Sequence, residues 1–106
     1  MTIKFNHRNV AGGYITIAFN ETGSDTVEYG VAFCSPEDHS NFRRAKGRMI
    51  ATNRLESRKR IGIIPIPEDT DLIVESIIQD IESGNYQTPA YREGEDLAPK
   101  WFFGTF

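Results

Sequence analysis

Apolar residues in this chain first alternate and then recur at helical steps, and the change of period divides it. Over residues 2–7, Ile3 and Phe5 share one face; over 14–19, Ile15, Ile17 and Phe19 oppose Tyr14, Thr16 and Ala18. Over 26–33, Val27, Tyr29, Val31 and Phe33 point one way. A period of two is that of a half-buried strand. Residues 9–13, with Gly12 and Gly13, predict a turn, and residues 20–25, with Gly23, a polar hairpin loop. Three strands so close in sequence pair most simply as an antiparallel meander.

After Cys34 the period lengthens. Ser35-Pro36-Glu37-Asp38 reads as a helix start. Serine accepts from the orphan amide three residues on, proline fits the first helical position, and Asp38 suits a capping box and the positive end of the dipole. The spacing predicts a helix over 36–55 with Phe42, Ala45, Met49, Thr52 and Leu55 as its apolar stripe. Gly47 costs that helix about 1 kcal/mol relative to alanine. It is either a tolerated glycine or a place where a helix or ligand approaches the backbone.

A fourth strand follows over 61–66, put at a sheet edge by Pro65. A second helix over 67–82 turns Leu72, Ile73, Ile77, Ile78 and Ile81 inward and stops at Gly84. Residues 85–106 have no clear period, yet hold six of the twelve aromatics, which must pack on the sheet or on a neighbour. The fold class expected is α+β: a small antiparallel sheet of about four strands packed with two helices, plus an aromatic C-terminal segment. At 106 residues this is one domain over 1–106, with no repeat or linker.

Charge changes the picture more than composition does. Eight of the twelve cations and one of the fifteen acids fall within residues 43–60, so that segment carries +7, the remainder −10 and the chain −3. A solvated helix usually mixes signs. Here Arg43, Arg44, Lys46, Arg48, Arg54, Arg58, Lys59 and Arg60 need counter-charge from elsewhere. The plain structural source is the acidic second helix. The functional source is an anionic ligand, since arginine's fork of donors matches phosphate oxygens. The net acidity argues against a general nucleic-acid coater. No apolar run approaches the length of a membrane span, and no basic stretch precedes an apolar one at the N-terminus. A soluble intracellular protein is expected.

Several chemistries find little support. One cysteine excludes an intramolecular disulfide and a multi-cysteine zinc site. Cys34 precedes a helix start, where a thiolate is stabilised, but no acid-plus-histidine constellation joins it and His39. His7 and His39 have no metal-ligand spacing, and neither phosphate-loop nor dinucleotide glycine motif occurs. Neither catalytic residue, metal nor cofactor is expected. Aromatics beside cations, Tyr91-Arg92 and Lys100-Trp101-Phe102-Phe103, either stack on bases or complete the core. Alternation separates Phe102 from Trp101 and Phe103.

The run VAFCSPEDHSNFRRAKGRMIATNRL, residues 31–55, resembles the central motif of the type one family of phage Thoeris anti-defence proteins. The pieces that carry the likeness are Phe33-Cys34-Ser35-Pro36, Lys46-Gly47-Arg48, Ile50-Ala51 and Arg54-Leu55, about a quarter of the chain. The resemblance implies a non-enzymatic sponge in the host bacterial cytoplasm. It would hold glycocyclic ADP-ribose isomers intact at a dimer interface, in assemblies that reach hexamers. Some members also capture cyclic di- or trinucleotides of cGAS-like (CBASS) immunity at separate sites.

Such a ligand needs arginine for phosphate, a ring for the base and polar partners for the sugars. The candidates are Arg43, Arg44, Arg48 and Arg92 for phosphate, Tyr91, Trp101 and Phe103 for stacking, and Asn9, Asn41 and Asn53 for hydroxyls. Gly47 with Arg48 or Arg54 is the candidate for a cyclic trinucleotide at a threefold axis. Two other classes stay open: a small nucleic-acid-binding regulator using the basic helix 43–60, and an inhibitor that docks on a defence enzyme.

Overall fold

A computed structural model of the chain describes residues 3–21, 25–57, 61–86 and 98–103. Four strands, β1 (Lys4–Val10), β2 (Gly13–Glu21), β3 (Thr26–Cys34) and β4 (Gly62–Pro65), form one antiparallel sheet in the order β1-β2-β3-β4. The α+β class and the meander are as the alternation predicts. β1 begins and ends later than expected, because its partner register runs from Lys4 opposite Phe19 to Val10 opposite Gly13. Ala11 and Gly12 make the two-residue turn between them, both at positive φ (51° and 84°), as the right-handed twist of a tight hairpin requires.

Alternation along β2 and β3 sends two different sets of side chains to the two faces. Ile15, Ile17, Phe19, Val27, Tyr29 and Val31 go to one side. There they meet α2 (Ile73–Glu82) through Ile73, Ile77 and Ile81, together with Tyr86, Ala98 and Phe102. Thr16, Ala18, Gly30 and Ala32 go to the other side, where α1 (Arg44–Ser57) lies. The sheet is thus the middle layer, with one helix on each face.

The large core is on the α2 side. Tyr29 is fully buried and gives its hydroxyl proton to Asp80 Oδ2 at 2.6 Å, while Asn85 Nδ2 donates to Asp80 Oδ1 at 3.1 Å. The carboxylate so ties the end of α2 to the central sheet. Gly84 ends α2 as expected: its amide bonds to Ile81 O at 3.0 Å and that of Asn85 to Asp80 O at 3.2 Å, the two bonds of a Schellman motif. Leu72, expected inward, is 49% exposed. It belongs to a 3₁₀ turn (Thr70–Leu72) that precedes α2 and points outside its stripe.

The helix expected over 36–55 is two pieces. Pro36–Asn41 is a 3₁₀ turn, Phe42 and Arg43 are non-helical, and α1 begins at Arg44. The break lets Phe42 stack on Tyr14 (ring centroids 4.6 Å apart, 15° between planes) and make a T-shaped contact with the His7 ring at 6.0 Å. An aromatic pair of this kind adds about 0.5–1.5 kcal/mol to the area it buries.

The buried stripe of α1 is rotated as well. Gly47, Ala51 and Leu55, four residues apart, face the sheet, whereas Ala45 and Met49 are exposed. The reason is the surface they meet. A β-carbon on Gly30 would come within 2.7 Å of Ala51 O and 2.8 Å of Leu55 N, and one on Gly47 would strike the Thr16 hydroxyl. Helix backbone and strand approach so closely that only the small-residue face fits, and hydrophobicity does not choose it.

Candidate functional site

β4 pairs with β3 only from Thr26 to Tyr29, so the last residues of β3 have no neighbouring strand there. Backbone groups on such an edge need other partners. Tyr86 accepts from the Val31 amide at 3.1 Å, and Arg54 Nη1 donates to Val31 O at 2.6 Å. Arg54 is therefore half-buried at the strand edge with further guanidinium donors to offer.

Along this edge lie two hollows that share a wall of Phe33, Ser35 and Asp38. The larger, about 440 Å³, is bordered on the α1 side by Asn41, Arg43, Lys46 and Gly47. The smaller, about 300 Å³, adds Arg54, Pro99 and Trp101. Together they form one groove, cationic at one end and aromatic at the other. In the wall, Asp38 accepts from the Ser35 hydroxyl at 3.2 Å, and its own amide bonds to Ser35 O at 3.0 Å. The expected cap is thus altered: the Ser35 side chain meets the Asp38 carboxylate and not the amide, because a 3₁₀ turn brings the backbone carbonyl there instead.

The structure does not gather all of the sequence-predicted residues in one place. Arg43, Gly47 and Asn41 border the larger hollow, and Arg54 and Trp101 the smaller. Arg43 is exposed and its Nη1 donates to Phe42 O at 3.0 Å. Trp101 packs edge-on to Phe33 at 6.3 Å and 80°, and lies over Gly13. Arg44 and Arg48 lie on the other flank of α1, toward β1, the strand that carries Asn9. Asn9 is exposed opposite Tyr14, and both arginines act on His7. Phe103 is 41% exposed, edge-on to the buried Phe102, in keeping with their expected separation, and Asn53 is exposed on α1. Tyr91 and Arg92, like Arg58, Lys59 and Arg60, lie outside the described residues.

Electrostatics set this face apart. The acidic second helix cannot supply the missing counter-charge, because α1 and α2 lie on opposite faces of the sheet. Among the described residues none of Arg43, Arg44, Lys46, Arg48 and Arg54 pairs with a carboxylate. The α2 acid Glu75 is instead bonded by Arg8 of β1 at 2.7 Å, which holds its carboxyl below the usual range. His7 Nδ1 hydrogen-bonds Thr16 Oγ1 at 2.9 Å, and burial, then Arg44 and Arg48, hold the imidazole below its ordinary pKa.

The surroundings of Cys34 do not favour the thiolate that a helix start would stabilise. Burial pushes the thiol up, Asp38 adds to the rise, and Lys46 only opposes it. Its Sγ faces Asp38 O at 3.5 Å and Ser35 O at 3.9 Å, acceptors that favour the thiol. No group of three or more His, Cys, Asp or Glu side chains converges among the described residues, and none of their helices is long and apolar enough to cross a membrane.

Sequence reasoning passed over three groove residues. Lys46 was one cation among eight, and Ser35 and Asp38 read only as a cap. The signal for the last two was their place at the end of β3, where strand ends and helix starts expose polar groups to ligands. Comparison of the chain with models of protein families, with curated proteins and with solved structures finds no match.

Proposed function

We propose that the chain is a non-catalytic sponge for cyclic nucleotide signals, with cyclic ADP-ribose isomers as its main ligands and cyclic di- and trinucleotides as a second class. The observation that carries this reading is the position of Arg43, Lys46 and Arg54. They border a groove along the open end of β3, with no carboxylate paired to them among the described residues. Phosphate fits the cationic end, at Arg43 and Lys46, and a base fits the end with Trp101 and Arg54. The combined hollow is within the size range of small-ligand sites. The raised thiol of Cys34 supports binding over nucleophilic turnover.

On this reading the protein acts in the cytoplasm of an infected bacterium, withdrawing signal from Thoeris and CBASS immunity. It works as a homo-oligomer, a dimer or a hexamer, in which a neighbouring copy completes the pockets. It makes no stable complex with nucleic acid. Signal is scarce, so affinity near nanomolar, about −12 kcal/mol, is expected.

The test is depletion and return. Cyclic ADP-ribose incubated with the protein disappears from the filtrate and comes back intact after heating. Arg43→Ala combined with Lys46→Ala weakens uptake at least tenfold. Native mass spectrometry of the same samples reads subunit count and ligand stoichiometry. Recovery of a hydrolysed product, or no depletion with any cyclic nucleotide, overturns the reading.

A further inference from the structure

The wall between the two hollows sets two polar residues beside Phe33, and that placement has chemical content. Arg43 and Lys46 border one hollow, Trp101 and Arg54 the other, and Ser35 and Asp38 border both. In a nucleotide the ribose joins phosphate to base. A ligand spanning the groove with phosphate at one end and base at the other therefore lays its ribose against Ser35 and Asp38.

We propose that Asp38, with Ser35 beside it, reads the free 2′-hydroxyl of the ribose next to the base, so that the groove selects ligands that keep this hydroxyl over 2′-deoxy, 2′-phosphorylated and 2′-linked ones. This rests on the nucleotide-binding reading above and adds a determinant of specificity to it. An ionised carboxylate is acceptor-only and takes a hydroxyl proton well. Dinucleotide-binding folds use an acidic residue on the 2′-hydroxyl in the same way, and an arginine where a 2′-phosphate must be accepted. Asp38 already accepts from the Ser35 hydroxyl at 3.2 Å, which leaves its other oxygen for a ligand and holds the carboxylate in place. Its backbone bonds, amide to Ser35 O and carbonyl to the Cys34 thiol, do not involve the side chain. Replacing the carboxylate thus leaves the 3₁₀ turn its main-chain support. A carboxylate beside Arg43 and Lys46 also lowers phosphate affinity, an expense that only a second contact to the same ligand recovers.

The test is calorimetry of the full chain with three probes: cyclic ADP-ribose, its analogue lacking the 2′-hydroxyl on the ribose carried by adenine N9, and inorganic pyrophosphate. The wild type binds the ribo form about ten- to a hundredfold more tightly than the deoxy form, as a charge-assisted hydrogen bond implies. Asp38→Asn and Asp38→Ala lose most of that ratio, and pyrophosphate binding stays level or strengthens. Thermal melts confirm that both variants fold, and Ser35→Ala, which leaves the carboxylate in place, retains part of the discrimination. If both cyclic compounds bind with equal affinity to the wild type, or if Asp38→Asn discriminates as well as the wild type does, ribose reading by Asp38 is wrong while the sponge stands. If neither cyclic compound binds, ribose reading by Asp38 is wrong, and the sponge falls with it when no other cyclic nucleotide is depleted either.

Discussion

Replacing Gly47 by alanine sets two effects of opposite sign against each other. In an exposed helix interior the change stabilises by about 1 kcal/mol. Here the new methyl points at Thr16, a residue only 1% exposed, and would sit 3.1 Å from its Cβ and nearer still to its Oγ1. Thr16 cannot swing aside freely, since it is β-branched and its hydroxyl is bonded to His7 at 2.9 Å. Overpacking of this kind costs about 1–3 kcal/mol, and disturbing the hydrogen bond adds about 0.5–1.5 kcal/mol. The close contact wins, and a net loss of about 1–3 kcal/mol is expected after the propensity gain is taken off. Urea denaturation measures it directly, and each kcal/mol lowers the Tm by roughly 4–8 °C in a domain of this size. The same variant in a Thr16→Ala background separates the causes. With Oγ1 and Cγ2 gone, the cost of Gly47→Ala falls by about 1 kcal/mol or more, a coupling expected of residues in contact. A Gly47→Ala protein about 1 kcal/mol more stable than wild type, with the change additive to Thr16→Ala, would refute the packing account of α1.

Three further outcomes follow from the same contacts. Asp80→Ala removes the acceptor of the buried Tyr29 hydroxyl and costs about 1.5–3 kcal/mol, and Tyr29→Phe in that background adds little, both read from urea midpoints. Ala11→Gly relieves a non-glycine residue at φ 51° and raises stability by about 1 kcal/mol; an unchanged melting temperature would exclude strain at the turn. His7 titrates below its ordinary 6.5 in the folded protein, so between those two pKa values the unfolded chain binds more protons. Stability therefore falls as pH drops from above 6.5 toward the folded value. His7→Gln flattens that part of the profile, and Arg44→Ala with Arg48→Ala raises the His7 pKa seen by NMR in a His39→Gln background.

Much of the fold was legible from period alone. Alternation in β2 and β3 names the residues of the large core, and Pro65 and Gly84 mark an edge and a helix end through restrictions that act within a few residues. α1 was legible as a helix and illegible as a surface. Of its apolar stripe by hydrophobicity, Phe42-Ala45-Met49-Thr52-Leu55, Leu55 is buried against the sheet, but Ala45 and Met49 face away from it. The choice of Gly47-Ala51-Leu55 depends on Gly30 and Thr16, which are distant in sequence. The site shows the same division. Clustering of cations within 43–60 is plain in the chain. Which cations share a groove was not plain: Arg43, just before α1, and Lys46 border one hollow, while Arg44 and Arg48 turn toward His7.

What the chain determines alone is local: where the backbone can extend, coil, turn or stop, and that its positive charge is confined to one stretch. Those properties follow from side-chain shape and from the charge of neighbours, and no partner is needed to read them. Tertiary structure decided which sheet face each helix covers, and so that the acids of α2 are on the opposite side from the cations of α1. It also decided that a short β4 leaves the end of β3 open for Arg54, Asp38 and Trp101 to gather there. These are long-range outcomes because they depend on close packing between surfaces, and a surface's fit is known only once both of its sides have been assembled.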